Sequence, residues 1–415
     1  MLLIYRLLAL LLTPLALIWL QRGAVAPGEP VGRWRERLGR VTAGQPGRIW
    51  LHAASVGEVN AAAGLVRALV ITGETVVVST MTRTGAARCR ELFGPEVEHF
   101  YLPIDNFLAV QAWLERVRPR VGLIVETEIW PELYRRCRSL EIPLLLVNAR
   151  ISPVALRRYR RFRALVAQAL ASVVLAVCQT RTDAERLIAL GLPEQRSRIS
   201  GNLKFDFELP AGLAERAAAL RESWGRRPVW VAGSTRPGEE AILLEAQRRL
   251  LGSVPDAVLV LAPRHPERLD AVIGLLEDSG LDWVRLGEPP RSETEVILID
   301  RFGVLLEHYA AADIAFVGGS LVPLGGHNLI EPAALAKPVL AGPHLEQQTD
   351  ALRALDEALT IVHEASDLHS ALAGLLQDAS ARKARGQAAQ AAVRDARGSL
   401  RLTLSALAPW IGTDD

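Results

Sequence analysis

The sequence predicts an α/β protein of two similar halves, each a parallel sheet with helices on both faces. Short apolar segments of strand length alternate with amphipathic segments from Arg48 onward, and a second such series begins near residue 229. With 415 residues, 50% of them hydrophobic, the chain has enough material for two domains with separate cores. The third observation is one stretch, residues 316–343. It runs Phe-Val-Gly-Gly-Ser, a short loop, Gly-Gly-His-Asn, a helix start at Leu329-Ile330-Glu331-Pro332 and a further apolar strand. Open α/β sheets bind ligands at such strand-to-helix turns.

Taken in order, residues 1–20 are apolar apart from Tyr5, Arg6 and Thr13, just long enough to cross a hydrocarbon core. The rival reading is a secretory signal, its apolar part at 7–20 and Ala24-Val25-Ala26 the cleavage site. Only Arg6 precedes the apolar run, whereas Arg22, Arg33, Arg35, Arg37 and Arg40 follow it. That asymmetry favours an uncleaved anchor at 1–22 with the downstream chain in the cytoplasm. Whether the anchor spans the bilayer or lies in one leaflet stays open.

In the first half, strands are expected at 49–53, 75–79, 97–102, 121–126, 144–148 and 173–176. Residues just after parallel strands share one rim, so the candidates for chemistry sit there. Ser55-Val56-Gly57-Glu58 reads as a capping box, Ser55 capping a helix and Glu58 reaching back. It also reads as a general base, Glu58 beside Gly57 being kept ionised because the helix dipole lowers a carboxylate pKa. Thr80-Met81-Thr82-Arg83-Thr84-Gly85 suits a phosphate through Arg83 and the threonines, although a plain N-cap needs only one of them. In Glu126-Thr127-Glu128-Ile129-Trp130-Pro131, strand alternation puts Glu126 and Glu128 on one face, as functional acids or with Glu128 paired to an arginine. Arg157-Arg158-Tyr159-Arg160-Arg161-Phe162-Arg163 reads as a solvated helix or as a surface resting on anionic lipid.

In the second half, after a connecting segment at 210–227, strands are expected at 229–232, 257–262, 296–299, 314–317 and 339–341. Ser234 and Thr235 follow the first and are caps or phosphate donors. Arg264 follows the second as a bidentate anion donor, with His265 adding a hydrogen bond or serving structure. Gly318 and Gly319 lack a Cβ, which lets backbone N–H groups approach a ligand. A helix opening near His327-Asn328 turns its positive end to the same place. Asn328 and Glu331 suit ribose hydroxyls, Glu331 alternatively compensating the dipole. Convergence of these ends makes the second half the nucleotide-binding one.

The formal charge of +2 conceals an asymmetry: residues 1–200 hold 27 Arg and no Lys against 16 acids, net +11, and the remainder 21 cations against 30 acids, net −9. A basic half suits anionic lipid or a phosphorylated substrate, and no nucleic-acid motif is present. Cys89, Cys137 and Cys178 fit no disulfide or metal pattern and read as buried thiols in a reducing compartment. The histidines show no ligand spacing either, and no metal is expected.

Eight segments then occur in order: His-Ala-Ala-Ser-Val-Gly-Glu (52–58), Thr-Met-Thr-Arg-Thr-Gly (80–85), Glu-Thr-Glu-Ile-Trp-Pro (126–131), Asn-Ala-Arg-Ile-Ser (148–152), Gly-Asn-Leu-Lys-Phe-Asp (201–206), Gly-Ser-Thr-Arg-Pro-Gly-Glu-Glu (233–240), Pro-Arg-His-Pro-Glu-Arg (263–268) and Gly-Gly-Ser…Gly-Gly-His-Asn…Glu-Pro (318–332). Together they closely resemble the 3-deoxy-D-manno-octulosonic acid (Kdo) transferases of lipopolysaccharide synthesis, over nearly the whole chain. The resemblance implies a GT-B glycosyltransferase with two Rossmann-like domains and an interdomain cleft. The acceptor domain would be 33–205 and the nucleotide-sugar domain 206–415, with the last helix free to cross back. It implies inverting, metal-independent transfer from the donor CMP-Kdo, without a cofactor, to a lipid A precursor at the cytoplasmic face of the inner membrane. Carried over by motif, Glu58 is the catalytic base and Glu128 a second acid. Arg264, His265, Gly318, Gly319, Ser320, Gly325, Gly326, Asn328, Glu331, Ser234 and Thr235 would hold the donor. Ser55, Gly57, Arg83, Thr84 and Glu126 would face the acceptor, while Lys204 has no unambiguous role. A periplasmic two-lobed solute-binding protein and a GT-B enzyme using a UDP-sugar are the alternatives. The number of Kdo residues added, the acyl preference and the oligomeric state stay open.

Overall fold

The structure, a computed structural model, describes residues 2–21, 33–301 and 303–412. Arg22 and the candidate cleavage site Ala24-Val25-Ala26 lie outside the described residues. The chain divides into two units, Met1–Glu208 with Arg397–Asp415, and Leu209–Ala396. The units meet at Glu208/Leu209, and the helix at Ser399–Ile411 falls in the first unit.

The first unit carries β1 (Arg48–His52), β2 (Val76–Thr80), β3 (Glu98–Tyr101), β4 (Pro119–Val125), β5 (Leu144–Ala149), β6 (Val173–Cys178) and β7 (Ser197–Ile199). All pair in parallel in the order β3-β2-β1-β4-β5-β6-β7. Its helices are α1 (Leu2–Gln21), α2 (Val56–Ile71), α3 (Arg83–Phe93), α4 (Phe107–Val117), α5 (Pro131–Ser139), α6 (Pro153–Arg160), α7 (Arg163–Leu170) and α8 (Arg181–Leu190), with a final helix at Ser399–Ile411. The central strands read as continuous Val, Leu and Ile because both faces are covered. On one face Trp50 and Trp113 meet edge to face at 5.0 Å. Position 122 must be glycine there, since a Cβ would sit 2.9 Å from the Trp50 ring. On the other face Leu65 and Leu69 of α2 share a core with Leu407 and Ile411 of the final helix. Strand order reverses between β1 and β4, so the rim beyond their carboxyl ends is the topological switch point.

The second unit carries β8 (Val229–Thr235), β9 (Val258–Pro263), β10 (Trp283–Arg285), β11 (Val296–Leu298), β12 (Ile314–Val317), β13 (Val339–Ala341) and β14 (Leu359–Ile361). The parallel order is β10-β11-β9-β8-β12-β13-β14, with its switch point between β8 and β12. The segment 210–227 is not a bare connection: it holds α9 (Leu213–Trp224), whose Ala217 and Trp224 enter the core. Next come α10 (Glu240–Leu251), α11 (Leu269–Ser279), α12 (Leu305–Ala311) and α13 (Ile330–Ala334).

The three strands the sequence did not announce, β7, β10 and β14, all lie at sheet edges. Each has three residues and lacks the apolar run that two covered faces impose. The amino-terminal segment does form α1, but among the described residues no helix is long and apolar enough to cross a membrane.

Candidate active site

In the first unit, Ser55 to Glu58 follow β1 and Glu126 to Glu128 follow β4, so both motifs fall at the switch point. Glu58 accepts hydrogen bonds from the Ala54 N–H at 2.7 Å and the Ser55 hydroxyl at 3.1 Å. The capping box is not formed, because Glu58 reaches past the N-cap to Ala54 and the Ser55 side chain accepts no backbone N–H of α2. The expectation that the helix end holds Glu58 ionised is overturned. Burial, reinforced by the Glu126 and then the Glu128 charge, pushes its pKa up to about 8 against the Ala54 and Ser55 donors.

The alternation reading of Glu126 and Glu128 also fails. β4 ends at Val125, and Glu126 takes a left-handed φ of 57°, so a loop rather than a strand brings the two acids toward Glu58. Glu126 lies 3.7 Å from Lys204, which gives that lysine a place beside the cluster. Glu128 is raised chiefly by burial, with Arg158 opposing, and its carbonyl accepts the Tyr134 hydroxyl at 2.7 Å. Gly57 is exposed beside Glu58. In the next motif Thr82 alone caps α3, accepting from the Gly85 N–H at 3.1 Å. Arg83 and Thr84 form the first turn of that helix.

In the second unit, Ser234 and Thr235 end β8 and Arg236 follows it, Arg264 and His265 follow β9, and Gly318 to Ser320 follow β12. Here the structure corrects the glycine-loop reading. The N–H groups of Gly319, Ser320 and Leu321 all donate to the buried Glu239 carboxylate, at 2.7, 2.9 and 2.9 Å, and the Arg236 N–H joins them at 2.9 Å. An internal anion thus occupies the nest that would otherwise greet a phosphate. Ser320 is fully buried, its hydroxyl donating to the Val317 carbonyl and accepting the Gly342 N–H. Thr235 is turned inward as well, donating to Glu240, which Arg268 holds from the other side. Ser234, just before Thr235, takes a left-handed φ of 58°. α13 opens later than expected, at Ile330, with the Asn328 side chain accepting the Ile330 N–H and donating to Glu331.

What remains open to an anion is a set of side chains. Gly325 and Gly326 form a turn in which the Gly326 N–H donates to the Gly319 carbonyl at 2.8 Å and the His327 N–H to that of Gly318 at 3.1 Å. His327 is thereby laid against Gly319, where a Cβ would come within 2.8 Å of its ring. Its Nε2 is buried without a hydrogen-bond partner. Burial first, then Arg264, Arg236 and His265, press its pKa down to about 4. Arg236 also contacts His265 directly. Four cationic or proton-accepting side chains therefore converge on one point, a setting that calls for a negative charge. His327, Arg236 and Glu239 were not singled out by sequence reasoning, although all three lie inside the quoted motifs. Among the described residues no group of three or more His, Cys, Asp or Glu is placed to hold a metal ion.

Comparison with known proteins gives the family. The family model described as 3-Deoxy-D-manno-octulosonic-acid transferase (kdotransferase) matches residues 32–207. The 3-deoxy-D-manno-octulosonic acid transferase of Haemophilus influenzae is 35% identical over 98% of this chain and 98% of its own. The chain belongs to the Kdo transferase family. A second relative of the same name, from Bordetella pertussis, is 37% identical over 97% of each chain. The fold of this Kdo transferase is also that of the UDP-GlcNAc 2-epimerase of Neisseria meningitidis, with a TM-score of 0.59 at 14% identity over 87% of this chain and 100% of that one. This transferase of lipopolysaccharide synthesis carries a carboxylate cluster on the first unit and a cation cluster on the second.

Proposed function

We propose that this chain transfers Kdo from CMP-Kdo to a lipid A precursor, a tetraacyl disaccharide bisphosphate, with inversion and without a metal, at the cytoplasmic face of the inner membrane. The observation that carries the reading is the convergence of Arg236, Arg264, His265 and His327 beside Gly319. Both the departing cytidylate phosphate and the Kdo carboxylate are anions, and side-chain cations at this point neutralise them as a metal otherwise would. Glu58 takes the proton from the acceptor hydroxyl. A carboxylate with a pKa near 8 is a stronger base than an ordinary one once ionised, so proton capture gains as pH rises through about 8. Glu126 and Glu128 sustain that basicity by their charge. Exposed Leu3, Leu7, Leu11 and Leu15 of α1, and Phe162 within the arginine run between α6 and α7, supply an apolar and basic surface for the bilayer.

The test is to incubate the purified chain with CMP-Kdo and the tetraacyl acceptor in excess EDTA, and to read additions by mass. Stepwise gain of Kdo with release of CMP is expected, and the number of steps counts the residues added. No gain, or gain only with a divalent ion or a UDP-sugar, overturns the reading. CMP should raise the thermal midpoint where UDP does not.

A further inference from the structure

We infer that α1 is a positioning element for the Glu128 loop, acting through Tyr5 and Arg6. The proposal rests on the reading of Glu128 as a functional acid.

α5 begins immediately after the Glu126–Pro131 motif, and its N-cap residue Trp130 makes no side-chain cap. The first turn is capped instead from elsewhere. Asp105, buried, accepts the Glu132 N–H at 3.0 Å and the Leu133 N–H at 2.8 Å. The same carboxylate accepts the Tyr5 hydroxyl at 2.6 Å. Arg6 donates twice to Glu132, at 2.7 and 2.8 Å, and Arg135 closes on that carboxylate at 2.6 Å. Two adjacent residues of α1 therefore seize both the cap of α5 and its first-turn acid. The next residue of that turn, Tyr134, is fully buried and donates to the Glu128 carbonyl at 2.7 Å. A continuous series of hydrogen bonds thus runs from α1 through the start of α5 to the backbone of Glu128.

α1 is suited to this because little apolar packing holds it. Leu3, Leu7, Leu11 and Leu15 are 69%, 61%, 74% and 63% exposed. Its other polar tie is Thr13, which accepts the Asn106 side chain at 3.0 Å. The seat of the helix is thus set by paired charges and hydrogen bonds, whose directionality fixes register better than apolar contact does. Loss of a tie leaves Asp105 or Glu132 buried with fewer partners, and the first turn of α5 shifts to satisfy them. Placement errors of this kind act on turnover rather than on donor affinity.

The experiment uses the full chain on phosphatidylethanolamine–phosphatidylglycerol vesicles with CMP-Kdo and the tetraacyl acceptor. Tyr5→Phe and Arg6→Met are compared with wild type and with Arg6→Lys as the conservative rescue. Expected are a fall in kcat of about tenfold in the first two, partial recovery in the third, and faster amide exchange over residues 130–134. CMP protection and vesicle binding should be unchanged. Turnover within about twofold of wild type for both Tyr5→Phe and Arg6→Met overturns the proposal, as does a loss fully explained by vesicle release. Glu128→Gln, run in parallel, separates the two readings. If it turns over normally, the role of Glu128 fails and the proposal built on it falls too; if it is slow while the α1 variants turn over normally, the positioning role of α1 alone fails.

Discussion

At Glu58 two influences oppose each other, and their relative size decides the chemistry. A helix end contributes on the order of 1 kcal/mol to an adjacent carboxylate, less than removal of the group from water beside two like charges. Glu58→Gln keeps the acceptor for the Ala54 N–H but cannot take a proton. Turnover should fall by roughly 10²- to 10⁴-fold. In wild type, kcat/KM should climb with pH through an apparent pKa of about 8. Stability follows the opposite course. The folded state holds this proton more tightly than the unfolded one, so the contribution is complete below the ordinary carboxylate pKa and disappears as pH rises through about 8. Thermal melts should show Glu58→Gln gaining on wild type at pH 9 relative to pH 5. An equal difference at both would show that Glu58 is not held protonated.

Among the elements, the segment at 201–206 shows how a motif serves structure as well as chemistry. Asp206 accepts the Gly398 N–H and the Leu400 N–H, both at 2.7 Å, and so caps the final helix from far along the chain. Gly398 itself brings no side chain to that role. Asp206→Ala should cost about 1–2 kcal/mol, read as a lowered melting temperature and faster exchange at residues 398–402. The same distinction explains what was legible in advance. Strands covered on both faces were readable because their composition follows from burial, and the polar residues at their ends followed from parallel topology. Which partner satisfies a loop was not readable. Glycine spacing at 318–319 announced converging N–H groups but not that Glu239, eighty positions away, already fills them. Likewise, the proximity of Glu126 and Glu128 to Glu58 depends on a left-handed residue after β4 that alternation could not foresee.

For the molecule as a whole, charge and apolar exposure act together. On the proposed reading, the net +11 of residues 1–200 and the bare leucines of α1 would contribute independently to a bilayer contact, one screened by salt and one not. Vesicles carrying phosphatidylglycerol should retain the chain at low salt and partly release it near about 1 M salt, whereas a chain lacking 2–21 should be released almost entirely. Identical retention of both chains at high salt would refute an anchoring role for α1. Chain connectivity has a consequence of its own. Because Arg397–Asp415 returns to the first unit, Leu209–Ala396 is a cassette threaded into its host. Exchanging that cassette for the matching unit of another protein of this fold therefore calls for two junctions. Trimming the carboxyl tail, which looks like damage to the second unit, would instead strip Leu407 and Ile411 from beneath the sheet whose β1 leads to Glu58.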